Sequence, residues 1–211
     1  MGRTAAKRDY RGVSASERRA ERRRKLLDAG RHIWGVSGIN EVSVRGVCVE
    51  AQLGPRYFYE QFPDRDALLL AVADQLREDL LTELLQRGLD EPGGIEAKLR
   101  AALNAFLGTI AHDPFVHRIF SDILTGTGGL GERRRQALDT VTNLVLEHGP
   151  ALLDFEPPSP AEMRRRATFI VGGVNQLVDA WVHDPRETTA ELADACTDLC
   201  LGVVRMLAAP R

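Results

Sequence analysis

Apolar and polar positions along the chain fall into one helical stripe after another, with no sustained strand alternation. The first stripe is Leu26, Leu27, Gly30, Ile33 and Trp34. It begins late. The preceding S-A-S-E-R-R-A-E-R-R-R-K is polar and basic, so the first half of this helix is predicted to be mostly solvated. Ser14 and Glu17 have capping-box spacing, Ser16 is a second N-cap candidate, and Gly35 and Gly38 end the helix. The next segment, N-E-V-S-V-R-G-V-C-V-E-A, is rich in β-branched residues, which favour strands. Ser43 is nevertheless a good N-cap, and Val44, Val47, Cys48 and Ala51 repeat at helical spacing. The segment is therefore read as a short helix.

In L-G-P-R-Y-F-Y-E-Q-F-P, Gly54 can cap a second short helix. Pro55 suits its first position, where the missing N–H would be unpaired anyway, and Pro63 stops it. Phe58 and Phe62, four residues apart, share one face and are assigned to the core. Arg56, Tyr57 and Tyr59 point elsewhere and form the exposed surface. A long helix is predicted from Asp64 to about Gln86, with Leu68, Leu69, Val72, Leu76 and Leu80 as its stripe. Further helices are predicted near 94–111, 114–124, 131–153, 159–183 and 187–208. The breaks between them are E-P-G-G, D-P, T-G-T-G-G-L-G, E-P-P-S-P and H-D-P-R. The predicted fold class is all-α with about nine helices.

The 211 residues suffice for one large domain or two small ones with a sizeable core. No apolar run is long enough to cross a bilayer, and the charged N-terminus lacks the apolar core of a signal peptide, so a cytoplasmic protein without a membrane partner is expected. The three cysteines include no C-x-x-C pair, and neither a disulfide scaffold nor a structural zinc site is expected. The net charge of −2 conceals an asymmetry: residues 1–65 carry 14 Lys or Arg against 8 Asp or Glu, and residues 66–211 carry 14 against 22. Such a division suggests a basic module that meets a polyanion, joined to an acidic body. A solvated charged helix with a disordered tail would give the same count. Residues 1–13, basic and without apolar period, are read as a disordered arm. The expected organisation is this arm, a basic helical domain over 14–65, and an acidic helical domain over 66–211.

Two short helices joined by A-Q-L-G, behind a longer capped helix, match a helix-turn-helix. Arg56 can donate a bidentate pair to guanine O6 and N7, Tyr57 can stack or bond at the groove, and Tyr59 and Gln61 can donate to phosphate. Ser43, Arg45 and the N–H groups opening the first short helix face a phosphate in this reading, with Gly54 and Pro55 at the approach of the second. The alternative is a helical hairpin with surface tyrosines.

The run from Leu26 to Leu69 resembles the N-terminal domain of tetracycline-repressor-like (TetR family) regulators. The matching features are Gly38 at the helix end, the Ser43 cap, the short helix 44–51, Tyr59 to Phe62 closing the recognition helix, and Asp64 to Asp66 opening the fourth. Where the family often has Gly in the turn, Gln52 stands here, and where it often has Lys, Arg65 keeps the charge for a phosphate contact. The resemblance implies an N-terminal three-helix DNA-binding domain, a homodimer formed by the last two helices as a four-helix interface, and a small-molecule effector. Its function would be that of a ligand-responsive repressor on a palindromic operator.

Other signals point away from chemistry. G-T-G-G-L-G at 126–131 has the letters of a dinucleotide fingerprint, but a helix precedes it and no strand is predicted nearby, so it is read as an inter-helix loop. Arg133, Arg134 and Arg135 are read as a solvated helix start, and Cys196 and Cys200 as packing residues. His112 and His117 are five apart with Pro114 between, a poor metal pair. No catalytic residue, metal or cofactor is expected. Phe169, Ile170, Gly173, Val174, Leu177, Val178 and Trp181 form one broad C-terminal stripe, and Leu192, Cys196, Leu199, Cys200, Val203 and Leu207 another. They fit either a monomer core or the dimer interface. Candidate pocket residues are Asn104, Phe106, Phe120, Asn143, Asn175, Gln176 and Trp181, polar groups and aromatics among apolar positions. The rival readings are an all-α enzyme or carrier with an incidental basic tail, and an activator or architectural protein.

Overall fold

Ser14 caps the first helix as its spacing predicts: its hydroxyl accepts from Glu17 N, and the Glu17 carboxylate accepts from Ser14 N. In the computed structural model, residues 14–126, 129–153 and 159–208 are described, with side chains to Met206. The arm at 1–13, Thr127 and Gly128 of the glycine-rich loop, and residues 154–158 lie outside them. The helices are α1 (Ala15–Ser37), α2 (Val44–Glu50), α3 (Pro55–Tyr59), α4 (Arg65–Asp90), α5 (Ile95–His112), α6 (Pro114–Thr125), α7 (Leu130–His148), α8 (Pro160–His183) and α9 (Thr189–Ala208). The fold is all-α, and the described residues contain no strand.

Several boundaries differ from expectation for local reasons. Helix α1 continues through Gly35 and ends at Gly38, whose φ of 99° few other residues tolerate. Helix α4 extends four residues past the expected Gln86 to Asp90. The Lys98 ammonium donates to the carbonyls of Leu89 and Glu91 at that end, and Arg87 pairs with Glu83 one turn back. Gly88 is tolerated within α4 because Ala102 of α5 packs there: a Cβ on Gly88 would lie 3.1 Å from the Ala102 Cβ. Helix α7 stops at His148, and Gly149–Leu152 form a 3-10 turn, since Pro150 has no N–H for the α ladder.

The chain forms two compact units that divide between Leu69 and Leu70, inside α4. In the first, α1 packs on α2 and α3, and the core is Leu26, Trp34, Val42, Val47, Phe58, Phe62 and Leu68. In the second, α5 packs on α9, α7 on α6 and α8, and α8 on α9. Its buried residues are mostly aliphatic, among them Leu103, Leu107, Ile110, Ile119, Leu130 and Leu192. The buried Thr142 and Thr197 hydroxyls donate to the carbonyls of Leu138 and Ala193 one turn back, so neither is left unsatisfied. Among the described residues no helix is long and apolar enough to cross a membrane.

Candidate nucleic-acid interface and an apolar chamber

The first unit presents a stiff basic helix on an aromatic base. Ser43 caps α2 by accepting from Gly46 N at 3.1 Å. The connection to α3 closes with Leu53 N donating to Cys48 O at 2.9 Å, and Gln52 takes φ 55° in the turn. That left-handed conformation costs a non-glycine residue roughly 1–2 kcal/mol, which the packing on either side sustains. Phe58 is fully buried and lies 5.7 Å from Phe62, ring centre to ring centre. This seat fixes the rotation of α3, so that Gly54, Pro55, Arg56, Tyr57 and Tyr59 are exposed on its outer side. Arg45 is exposed on α2.

The basic half of α1 is mostly exposed, as its sequence predicts, but some of its arginines also contact α3 and the residues after it. The Arg22 guanidinium lies 4.8 Å over the Tyr57 ring and 3.9 Å from the Glu60 carboxylate. Arg23 stacks 4.6 Å over Phe62, and Arg19 donates to the Glu60 carbonyl at 3.3 Å. Arg19, Arg22, Arg23 and Leu26 fall at helical spacing, so the arginines continue the apolar stripe toward the N-terminus with their stems and rings of charge. That spacing was visible in the sequence.

Glu60, which sequence reasoning passed over, sits between two of these cations: its carboxylate pairs with Arg56 Nε at 3.1 Å as well as with Arg22. Arg65 is committed within the unit. Its Nε donates to Val42 O, its Nη2 to Ile39 O and its Nη1 to Asp66, pinning the start of α4 to the loop before α2. Gln61 is half-buried, and its amide nitrogen is buried with no hydrogen-bond partner among the described residues.

The second unit holds a partly open chamber of about 230 Å³. Leu76 and Leu80 of α4, Leu103 and Phe106 of α5, Phe120 of α6 and Val174 of α8 represent its wall. The Phe106 and Phe120 rings meet edge to face, 5.8 Å apart. Charged residues occur at one part of the wall, but they are turned toward each other. Asp74 pairs with Arg77 at 3.3 Å and with Arg133 at 3.5 Å; Arg134 pairs with Asp179 at 3.3 Å and donates to Leu124 O at 2.7 Å. Burial pushes the Cys200 thiol at the wall up to about 12, with the neighbouring Cys196 adding to the rise; that thiol is itself held at about 11 by burial and Glu187. Both are protonated at neutral pH and poor nucleophiles.

Of the residues singled out as pocket candidates, Phe106, Phe120 and Asn175 come together at the chamber. Asn104, Asn143, Gln176 and Trp181 are not part of its wall. Asn143 accepts from Arg164, Gln176 is exposed, Asn104 is half-buried, and the Trp181 indole donates to Glu187 O at 2.9 Å. Asp74 and Arg77 were missed, although Ala73, Leu76, Arg77, Leu80, Leu81 and Leu84 form a continuous α4 stripe that includes Arg77.

The broad stripe of α8 divides between two faces. Ile170 and Val174 line the chamber, whereas Phe169 is 68% exposed and Gly173 and Leu177 are exposed with it. On the adjoining α9, Leu199 is 60% and Met206 65% exposed. The pair α8 and α9 thus carries an outward apolar face that nothing in this chain covers among the described residues.

A helix-turn-helix on a buried aromatic seat, attached by a long fourth helix to an all-α body, defines a class of DNA-binding transcriptional regulators. Residues 26–72 match the family model of bacterial regulatory proteins of the tetR family. Its fold is similar to that of a tetR-family transcriptional regulator from Streptomyces coelicolor, at 18% identity and a TM-score of 0.69 over 90% of this chain and 82% of that one. The TetR family repressor AlkX from Dietzia is similar at 23% identity and 0.60, over 89% and 97%. SmeT, the repressor of a Stenotrophomonas maltophilia multidrug efflux pump, is similar at 17% identity and 0.64, over 85% and 88%. No curated protein matches the chain significantly.

Proposed function

We propose that this protein is a dimeric cytoplasmic repressor that binds a palindromic DNA operator and releases it when a small molecule occupies the chamber. The observation that carries the reading is the outer side of α3, where Arg56, Tyr57 and Tyr59 stand exposed over fully buried Phe58. Arg56 reads a guanine edge and Tyr57 the groove wall, while Tyr59, Arg45 and the arginines of α1 hold phosphates. The N–H groups opening α2 add a phosphate site, with Ser43 fixing that helix end. Arg65 acts as a brace because its nitrogens are engaged inside the unit.

The outward face of α8 and α9 pairs with its copy in a second chain, placing two recognition helices about 34 Å apart, one helical turn of DNA. An effector in the chamber acts by population shift, in proportion to its differential affinity for the DNA-binding and released states. Two of the structural relatives are described as repressors, which favours repression over activation.

Fluorescence anisotropy on the DNA upstream of its own gene, against scrambled DNA across a salt series, tests the reading. Preferential binding that weakens steeply with salt is expected. Equal affinity for both DNAs at every salt concentration would remove the proposed specificity.

A further inference from the structure

The wall of the chamber constrains its occupant more tightly than its size does. Twenty of the lining residues are Ala, Val, Leu, Ile or Phe. The charged residues that also line it, Asp74, Arg77, Arg133 and Arg134, each stand in an ion pair, although the buried Asp74 Oδ1 accepts no hydrogen bond among the described residues. Counting Asp179 and Glu78, which lies 3.7 Å from Arg77, three guanidinium groups face three carboxylates. This part of the wall is electrically balanced. An ionised ligand would lose its hydration and find no uncommitted counter-charge, and to gain one it would have to break an existing pair. Asn175 is the neutral polar side chain of the wall, able to serve one weak hydrogen-bonding group.

We infer that the chamber selects an uncharged, hydrocarbon-rich molecule carrying at most one weakly polar group, and rejects carboxylates and amines of the same carbon skeleton. This rests on the reading of the chamber as the effector site. An apolar protein cavity of about 150 Å³ holds benzene, so a chamber of 230 Å³ accommodates roughly nine heavy atoms by proportion. A C8 chain with one terminal group has that size. The Asp74 pairs with Arg77 and Arg133 enforce the selection: while they stand, neither cation is available to an anion.

Isothermal titration of the full chain with 1-octanol, octanoate and octylammonium at pH 7, paired with anisotropy on its DNA, tests the inference. Saturable binding of 1-octanol is expected at least tenfold tighter than that of either ion. Val174→Phe fills the chamber from α8 and abolishes it; Ala137→Leu, a smaller change from α7, weakens it if the first variant does not fold. Asp74→Asn frees Arg133 and leaves Arg77 only its Glu78 pair, so octanoate tightens at least threefold while 1-octanol changes little. Octanoate or octylammonium binding as tightly as 1-octanol overturns the inference. So does the lack of saturable 1-octanol binding up to its solubility, or 1-octanol binding unchanged in both folded filling variants. The two readings fail separately. If 1-octanol binds in the chamber without weakening DNA binding, the ligand class stands and the effector role falls. If octanoate binds as tightly and releases the DNA, the effector role stands and the ligand class falls.

Discussion

The two units use their phenylalanines in opposite ways. In the first, Trp34 and Phe58 are fully buried and Phe62 nearly so, and their burial turns charged and phenolic groups outward at fixed angles. In the second, the largest fully buried side chains are Leu and Ile, while Phe106 and Phe120 remain half-buried at the chamber wall. A closed aromatic core gives a rigid surface, which reading DNA requires. An incompletely filled bundle leaves a cavity and gives up the dispersion contacts that would have filled it. Rigidity and vacancy are thus assigned to different stretches of one chain.

Truncating aromatics in the two units is the strongest way to break this contrast. Phe58→Ala is expected to cost about 3–5 kcal/mol, because nothing can collapse into the space below α3. Phe120→Ala, whose ring already borders a void, is expected to cost less than half as much. Urea unfolding of both variants checks this, and equal losses would mean that the chamber wall is as tightly packed as the α3 seat. Next in size, Phe169→Glu and Leu199→Glu place charges on the outward α8 and α9 face, and weaken self-association by about 3 kcal/mol or more without lowering helicity. Sedimentation and circular dichroism together detect that split; dimers unaffected by both changes would place the interface elsewhere.

Smaller effects sharpen the account of the outer side of α3. Arg56→Ala should lose about 1–3 kcal/mol of discrimination at one base position. Glu60→Gln should act in the opposite sense. It releases Arg56 and Arg22 from their shared carboxylate, raises affinity for any DNA by about 1 kcal/mol and steepens the salt dependence by about one phosphate contact. Weaker binding by the Gln variant would show that Glu60 serves to orient Arg56 rather than to restrain it.

At neutral pH the smallest effect comes from the thiols. Burial raises the folded-state values of Cys196 and Cys200 to about 11 and about 12, against an ordinary 9.0. A group with a raised folded value stabilises fully below its unfolded value and loses that contribution as pH rises toward the folded value. Stability should therefore be flat through pH 8 and decline from about pH 9 upward, less steeply in Cys200→Ala. Thermal melts across pH 7–11 read this out. A disulfide exchange reagent should react with these thiols at neutral pH only under denaturing conditions.

Much of the first unit was legible because its determinants are local. The Ser14 and Ser43 caps, Pro55 at the first position of α3 and the four-residue spacing of Phe58 and Phe62 each act within one or two turns. The orientation of Arg56 and Tyr57 follows from that spacing. What escaped notice crosses between elements: Arg22 on Tyr57, Glu60 between two arginines, and Arg65 reaching back to Ile39 and Val42. Single-segment periodicity carries no information about such pairs.

The sequence by itself determined the all-α class, the order of the helices, the short capped pair with its basic aromatic face, and the charge division between the units. It did so because capping, helical spacing and proline geometry are properties of neighbouring residues. Only the tertiary structure decided which of two adjacent apolar positions on α8 points outward and which faces a cavity. Phe169 and Ile170 are both hydrophobic, yet one points outward and the other lines the chamber. Hydrophobicity selects against water without naming the surface that replaces it, and that choice is made by the rotation of α8 against α7 and α9.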